Sequence, residues 1–141
     1  MPTSHASATW EGGLKGGNGK FEGKSGVISG AYDFGTRFGG ARGTNPEELL
    51  AAAEAACYSM ALAGALEAAG TPAERVHTDA SCTIEPVSGG FKITGMKLRV
   101  RASVPNVSAD AFQKAAQDTK SGCPVSKALA GVDITVEATL E

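Results

Sequence analysis

The sequence predicts an α+β fold, and three observations carry that expectation. The opening third reads as short strands broken by glycine turns, a long apolar helix follows, and the last part reads as a hairpin, two helices and a final alternating strand. Strands and helices are thus segregated along the chain rather than alternating, which argues against a doubly wound sheet. At 141 residues the chain is expected to form one domain over 1–141, long enough to bury a core.

Segments 5–10, 19–25 and 27–29 alternate loosely and are separated by glycine turns, so each is read as a strand. Residues 34–43 form a looser stretch that carries Arg37 and Arg42. A helix start follows: Asn45 can cap, Pro46 suits the first helical position, and Glu47 and Glu48 complement the positive end of the helix dipole. The helix should run to about Gly70, where Gly-Thr-Pro stops it, and it is apolar nearly all round, as a helix enclosed by other elements would be. Segments 76–87 and 91–104 read as two strands joined at Ser88-Gly89-Gly90. Ser108 can cap a second helix that ends at Gly122, Cys123-Pro124 opens a short third helix, and 133–141 is a strand with Ile134, Val136 and Ala138 on one face.

Charge and composition exclude several classes of function. The formal net charge is −2 with acidic and basic residues interspersed, so no basic run or aromatic-studded basic stripe points to nucleic acid. The segment 49–69 is apolar enough to suggest a membrane span, but Glu54 and Glu67 lie within it and most of its apolar residues are alanines, so a buried helix is the better reading. The opening MPTSHASATW has neither the basic start nor the apolar core of a signal peptide, so a reducing, cytoplasmic setting is expected. In that setting three cysteines are read as free, catalytic or redox-active rather than structural.

Cys57 lies mid-helix in an alanine-rich stretch, where a cysteine can simply be a small buried hydrophobe with an inert, raised-pKa thiol. Reactivity would require a cation, and Arg37 or Arg42 could fold over it from the glycine-rich stretch upstream. Cys123 precedes Pro124 at a helix start, where free N–H groups would stabilise a thiolate. It is either a resolving cysteine or a residue that merely caps a turn. Cys82 sits in a strand and reads as packing. No spacing of His5, His77 and the cysteines suits a metal, and no cofactor is expected.

Taken together, Thr36-Arg37-Phe38, the stretch from Gly43 through Asn45-Pro46-Glu47-Glu48 to Leu49, Ala55-Ala56-Cys57-Tyr58-Ser59-Met60, and Gly122-Cys123-Pro124-Val125-Ser126 resemble the OsmC/Ohr family of bacterial thiol peroxidases, in its OsmC branch. Tyr58 stands where that pattern usually has Phe. The resemblance implies an intertwined homodimer with antiparallel sheets packed around long central helices. It also implies a peroxidase acting on organic hydroperoxides and less well on hydrogen peroxide. In that scheme Cys57 is oxidised to a sulfenic acid, Cys123 condenses with it to a disulfide, Arg37 holds the thiolate and the peroxide, and Glu47 fixes the guanidinium. A dithiol reductant, a lipoylated protein among the candidates, would restore the thiols. Phe38, Met60 and Tyr58 are candidate walls of the substrate site.

Glu47 and Cys57 are ten residues apart on one expected helix. At ~1.5 Å and ~100° per residue they lie roughly 15 Å apart along the axis and on different faces. Either the helix breaks between them, or each site takes Cys57 from one chain and Glu47 from the other. Two other functions compete: a non-catalytic binder of small apolar molecules, and a general disulfide oxidoreductase. Against the second stand the missing C-x-x-C and the 66-residue separation of Cys57 from Cys123.

Overall fold

The computed structural model describes all residues from Met1 to Glu141, which fall into two compact units, Met1–Glu48 and Leu49–Glu141. In the first, three strands form an antiparallel sheet in the order β1 (Ala6–Glu11), β2 (Asn18–Gly23), β3 (Ser29–Tyr32). Trp10, Gly19 and Tyr32 occupy one line across the three strands. The two rings lean over the glycine with centroids 5.6 Å apart. A Cβ on Gly19 would come within 2.8 Å of both rings, so glycine is what lets them close over the middle strand. The third strand begins at Ser29, where the sequence placed its end; Val27 and Ile28 belong to the exposed turn before it.

The expected loose stretch contains a short helix, α1 (Phe34–Phe38). Its start is a capping box: Asp33 Oδ1 accepts from the Thr36 N–H, and Thr36 Oγ1 accepts from the Asp33 N–H, each at 2.9 Å. The pattern is easily missed in sequence because Thr, rather than Glu or Gln, supplies the return bond.

Helix α2 (Pro46–Ala68) is uninterrupted over 23 residues. Asn45 caps it as expected, its Oδ1 accepting from the Glu48 N–H at 2.8 Å. By length and composition alone this helix could cross a membrane. Within residues 49–141, however, one stripe of it is enclosed: Glu54, Tyr58, Leu62 and Leu66, repeating every four residues. The opposite face, with Ala52, Ala53, Ala56, Met60 and Gly64, is exposed, and Met60 retains 81% of its surface. The helix is therefore enclosed on one side only.

Tyr58, Leu62 and Leu66 of this stripe pack into one core with Met96, Leu98, Val100, Ala102 and Phe112. β4 (Arg75–Val87) and β5 (Gly90–Ser103) form the expected antiparallel hairpin, and Gly89 turns it with a positive φ of 88°. After α3 (Ala109–Gly122) and α4 (Pro124–Ala128), β6 (Asp133–Leu140) returns to pair with β5 in parallel. A parallel return requires a crossover of a dozen or more residues, which α3 and α4 provide. Alternation within β6 identifies it as a strand but is blind to this direction. Ser108 caps α3 by accepting from the Ala111 N–H. Gln113 and Gln117 of α3 donate to the Ala138 and Val136 carbonyls, fastening that helix to β6.

Candidate active site

The structure brings the expected residues together in two pairs. In the unit of residues 1–48, Arg37 and Glu47 form an ion pair. Arg37 Nε donates to Glu47 Oε1 at 3.0 Å and Oε2 at 3.3 Å, and Nη2 donates to Oε1 at 2.8 Å. Both members are positioned by helix ends. Arg37 lies in the last turn of α1 and Glu47 in the first turn of α2. Asn45 links the two elements, because its Nδ2 donates to the Thr36 carbonyl while its Oδ1 caps α2. Gly43 makes the approach possible: its φ is 147°, and a Cβ there would meet Thr36 Cγ2 at 2.8 Å.

The Glu47 side chain is nearly closed off, at 6% exposure, whereas Arg37 keeps 36%. A carboxylate so enclosed needs its partner, and the partner remains open enough to meet a second anion. The guanidinium also lies over the Phe38 ring, 5.2 Å from its centroid, and Phe38 itself leans on Phe34. Trp10, Leu14, Tyr32 and Phe34 complete an apolar cleft around Arg37 and Phe38.

In the unit of residues 49–141, Cys57 of α2 and Cys123 are brought into contact, the Cys123 thiol donating to Cys57 Sγ with 2.8 Å between sulfurs. Both are free thiols, Cys123 buried and Cys57 partly so. Cys123 has an extended backbone between two helices, φ −61° and ψ 129°, as the following proline favours. Its N–H closes α3 on the Thr119 carbonyl, and its carbonyl accepts from the Lys127 N–H in α4.

The sequence placed free N–H groups of α4 at the Cys123 sulfur. The structure sets the Val125 backbone, in the first turn of α4, beside the other thiol, where it favours the Cys57 thiolate. Burial nonetheless pushes the Cys57 thiol above its ordinary value, with the Cys123 hydrogen bond next in weight. The nearby Cys123 and Glu54 charges push the same way, and only the Val125 backbone opposes them. A thiol held in this balance is protonated at neutral pH and needs a cation to become a nucleophile.

The candidate wall residues are dispersed. Tyr58 is fully buried, its hydroxyl donating to the Ala116 carbonyl at 2.7 Å. Its phenol is held well above the ordinary range by burial, with a contribution from Cys123. Met60 is on the exposed face of α2, and Phe38 lies beside Arg37. Sequence reading did not single out Glu54 as a site residue, although it lies one helical turn before Cys57. It is 0% exposed, and Ser126 of α4 donates to its Oε1. The signal available was a carboxylate inside an otherwise apolar helical run.

Fold and thiols together define an α+β protein with a dithiol centre built between two helices. The chain belongs to the OsmC-like protein family, whose model matches residues 39–137. It is 43% identical over 135 residues to peroxiredoxin OsmC of Escherichia coli (strain K12), covering 95% of this chain and 94% of that protein. It is 35% identical over 100 residues to an organic hydroperoxide resistance protein of Xanthomonas axonopodis pv. citri, covering 69% of this chain and 68% of that one. Among solved structures, an organic hydroperoxide resistance protein from Elizabethkingia anophelis superposes with a TM-score of 0.78 at 27% identity, covering 100% of this chain and 98% of that one.

Proposed function

We propose that this protein is a thiol-dependent peroxidase that reduces organic hydroperoxides, and hydrogen peroxide less well, through Cys57 and Cys123. The observation that carries the reading is the contact between the two sulfurs, 2.8 Å apart. The names borne by the Escherichia coli and Xanthomonas relatives support the same chemistry.

The Cys57 thiolate attacks the outer oxygen of the peroxide. The O–O bond breaks, the alkoxide leaves and takes a proton, and Cys57 becomes a sulfenic acid. The Cys123 thiol then condenses with that sulfenic acid, forming the Cys57–Cys123 disulfide and releasing water. A dithiol reductant, a lipoylated protein among the candidates, returns both cysteines to thiols by exchange. That requirement fits a cytoplasmic, reducing setting.

Arg37 supplies the cation that the dithiol centre needs, lowering the Cys57 pKa and orienting the peroxide. Glu47 is a positioning residue that aims the guanidinium. Because α2 is unbroken, Glu47 and Cys57 of one chain stand roughly 15 Å apart along its axis. We therefore assign the working protein as a homodimer in which Arg37 and Glu47 of one chain serve Cys57 of the other. The exposed apolar face of α2, with Ala52, Ala53, Ala56, Met60 and Gly64, is the surface that such a partner would cover. In that assembly Phe38 and Met60 are the proposed apolar surroundings of the substrate, whereas Tyr58, expected there from the sequence, is enclosed in the core and lines no surface. Each CH₂ buried there would favour an alkyl hydroperoxide by ~0.8 kcal/mol.

The test is consumption of cumene hydroperoxide and of hydrogen peroxide by the wild type and by Cys57→Ser, with a dithiol and with a monothiol as reductant. Turnover should be lost in Cys57→Ser and should be faster with the organic peroxide and the dithiol. Equal rates for the wild type and the variant would end the proposal.

A further inference from the structure

Glu54 is buried at a cost that packing does not explain. Its side chain is fully enclosed, and none of the salt bridges involves it. Only one of its two oxygens is satisfied: Oε1 accepts from the Ser126 hydroxyl, and Oε2, also buried, has no hydrogen-bond partner. Burying a polar oxygen without a partner is unfavourable, and an apolar side chain in the same place would avoid the loss. Glu54 also lies near enough to Cys57 for its charge to oppose the thiolate. A residue unfavourable on both counts must provide something in return at this position.

The return is in what Ser126 belongs to. Ser126 is the third residue of α4, the helix that follows Cys123 directly and whose Val125 backbone lies beside Cys57. Glu54 is on α2 one turn before Cys57. The Glu54–Ser126 hydrogen bond therefore joins the two helices beside the two sulfurs. Together with the thiol contact and the Val125 backbone beside Cys57, it holds α4 against α2.

We propose that Glu54 and Ser126 are positioning residues for the resolving step, holding α4 on α2 so that Cys123 remains in reach after Cys57 has become a sulfenic acid. This rests on the peroxidase reading above. The sulfenic acid has two fates. Attack by the Cys123 thiol gives the disulfide and water, whereas attack on a second hydroperoxide gives the Cys57 sulfinic acid and an alcohol. The first is intramolecular and depends on geometry, since misplacing reacting groups by ~1 Å can cost about a hundredfold. The second does not require Cys123. The hydrogen bond thus decides the partition between a reversible and an irreversible product.

The experiment is a single-turnover reaction of the full-length reduced protein with cumene hydroperoxide. Disulfide and sulfinic acid at Cys57 are counted by intact-mass and peptide mass spectrometry over a range of peroxide concentrations. In Ser126→Ala and Glu54→Ala, disulfide formation should slow about tenfold. The peroxide concentration giving equal disulfide and sulfinic acid should fall by the same factor, while Cys57 still takes up its first oxygen. Glu54→Gln retains an oxygen that accepts from Ser126 and should move the partition back toward the wild type. If Glu54→Ala does not fold, Ser126→Ala and Glu54→Gln carry the test. An unchanged partition in Ser126→Ala would overturn the inference, as would a Glu54→Gln variant no better than Ser126→Ala. A wild type whose Cys57 takes up no oxygen would instead overturn the peroxidase reading, and the positioning role with it.

Discussion

Residues 1–48 and residues 49–141 hold their functional pairs by different physical means. In the first unit the ion pair is secured by local devices: a capping box at Asp33 and Thr36, the Asn45 link, and a glycine at 43 that no other residue could replace without strain. Most of its strand residues are exposed, and its apolar packing is chiefly a small aromatic group around Trp10, Phe21 and Tyr32. In the second unit the thiols ride on helices fixed by a continuous core running from Tyr58 and Leu62 through Leu98 to Phe112. On the proposed reading, chemistry that needs an exposed cation is kept on a frame of turns, and chemistry that needs two sulfurs in register is kept on a packed frame. Substitutions in the two frames should therefore fail in different ways.

The largest effect on activity is expected in the first unit. Arg37→Ala should lower kcat/KM for cumene hydroperoxide about a thousandfold, as loss of a charge-stabilising donor does. Alkylation of Cys57 measured against pH should then move to higher pH, since the cation no longer offsets the burial that raises the thiol. In that variant the neutral buried thiol stabilises the fold below the ordinary thiol range. That contribution should fade as pH rises through the raised value, and a flat denaturation midpoint over that range would contradict it.

Next in size is a loss of stability in the second unit. Phe112→Ala should cost roughly 3–5 kcal/mol in chemical denaturation followed by far-UV circular dichroism. A cost under about 1 kcal/mol would mean that the core is not the frame described.

Gly19→Ala should cost roughly 1–3 kcal/mol, because the added methyl has no room between the Tyr32 and Trp10 rings. Trp10 is the one tryptophan of the chain, so its fluorescence reports this unit directly. An unchanged emission maximum and midpoint would count against the packing. The smallest effect is Asn45→Ala, about 1 kcal/mol for a lost helix cap. It should be accompanied by reduced activity, because the same side chain ties α1 to α2.

Much of this was legible in the residues. The Asn45 and Ser108 caps, the turn at Gly89 and the alternation of 133–141 each fixed an element within a few positions, because each depends on local chemistry. The expectation failed where the deciding partner is distant or unusual. Thr36 replaces the acidic residue that normally signals a capping box. The direction of β6 depends on its partner strand, not on its own pattern. Free N–H groups could be placed near the Cys123 sulfur from the Cys123-Pro124 dipeptide, but that the Val125 backbone would act on Cys57 was a matter of packing. Glu54 was visible as a charge in an apolar helix, yet its partner is 72 residues away. As for the family motifs, they named Arg37, Glu47, Cys57 and Cys123 together as candidates, whereas the pairing of Arg37 with Glu47 follows from helix ends and the contact of Cys57 with Cys123 from the packing of α2.

One consequence of the thiol contact concerns the thermodynamics of the whole fold. Cys57 and Cys123 are 66 residues apart in sequence, and the segment between them contains the β4–β5 hairpin and all of α3. When the two sulfurs are oxidised to a disulfide, they close a loop of that length in the unfolded chain. Closing such a loop removes unfolded-state entropy worth about 4 kcal/mol at room temperature on the chain-entropy account. The oxidised protein halfway through its cycle would then be its most heat-resistant form, and every reduction would return it to a looser resting state.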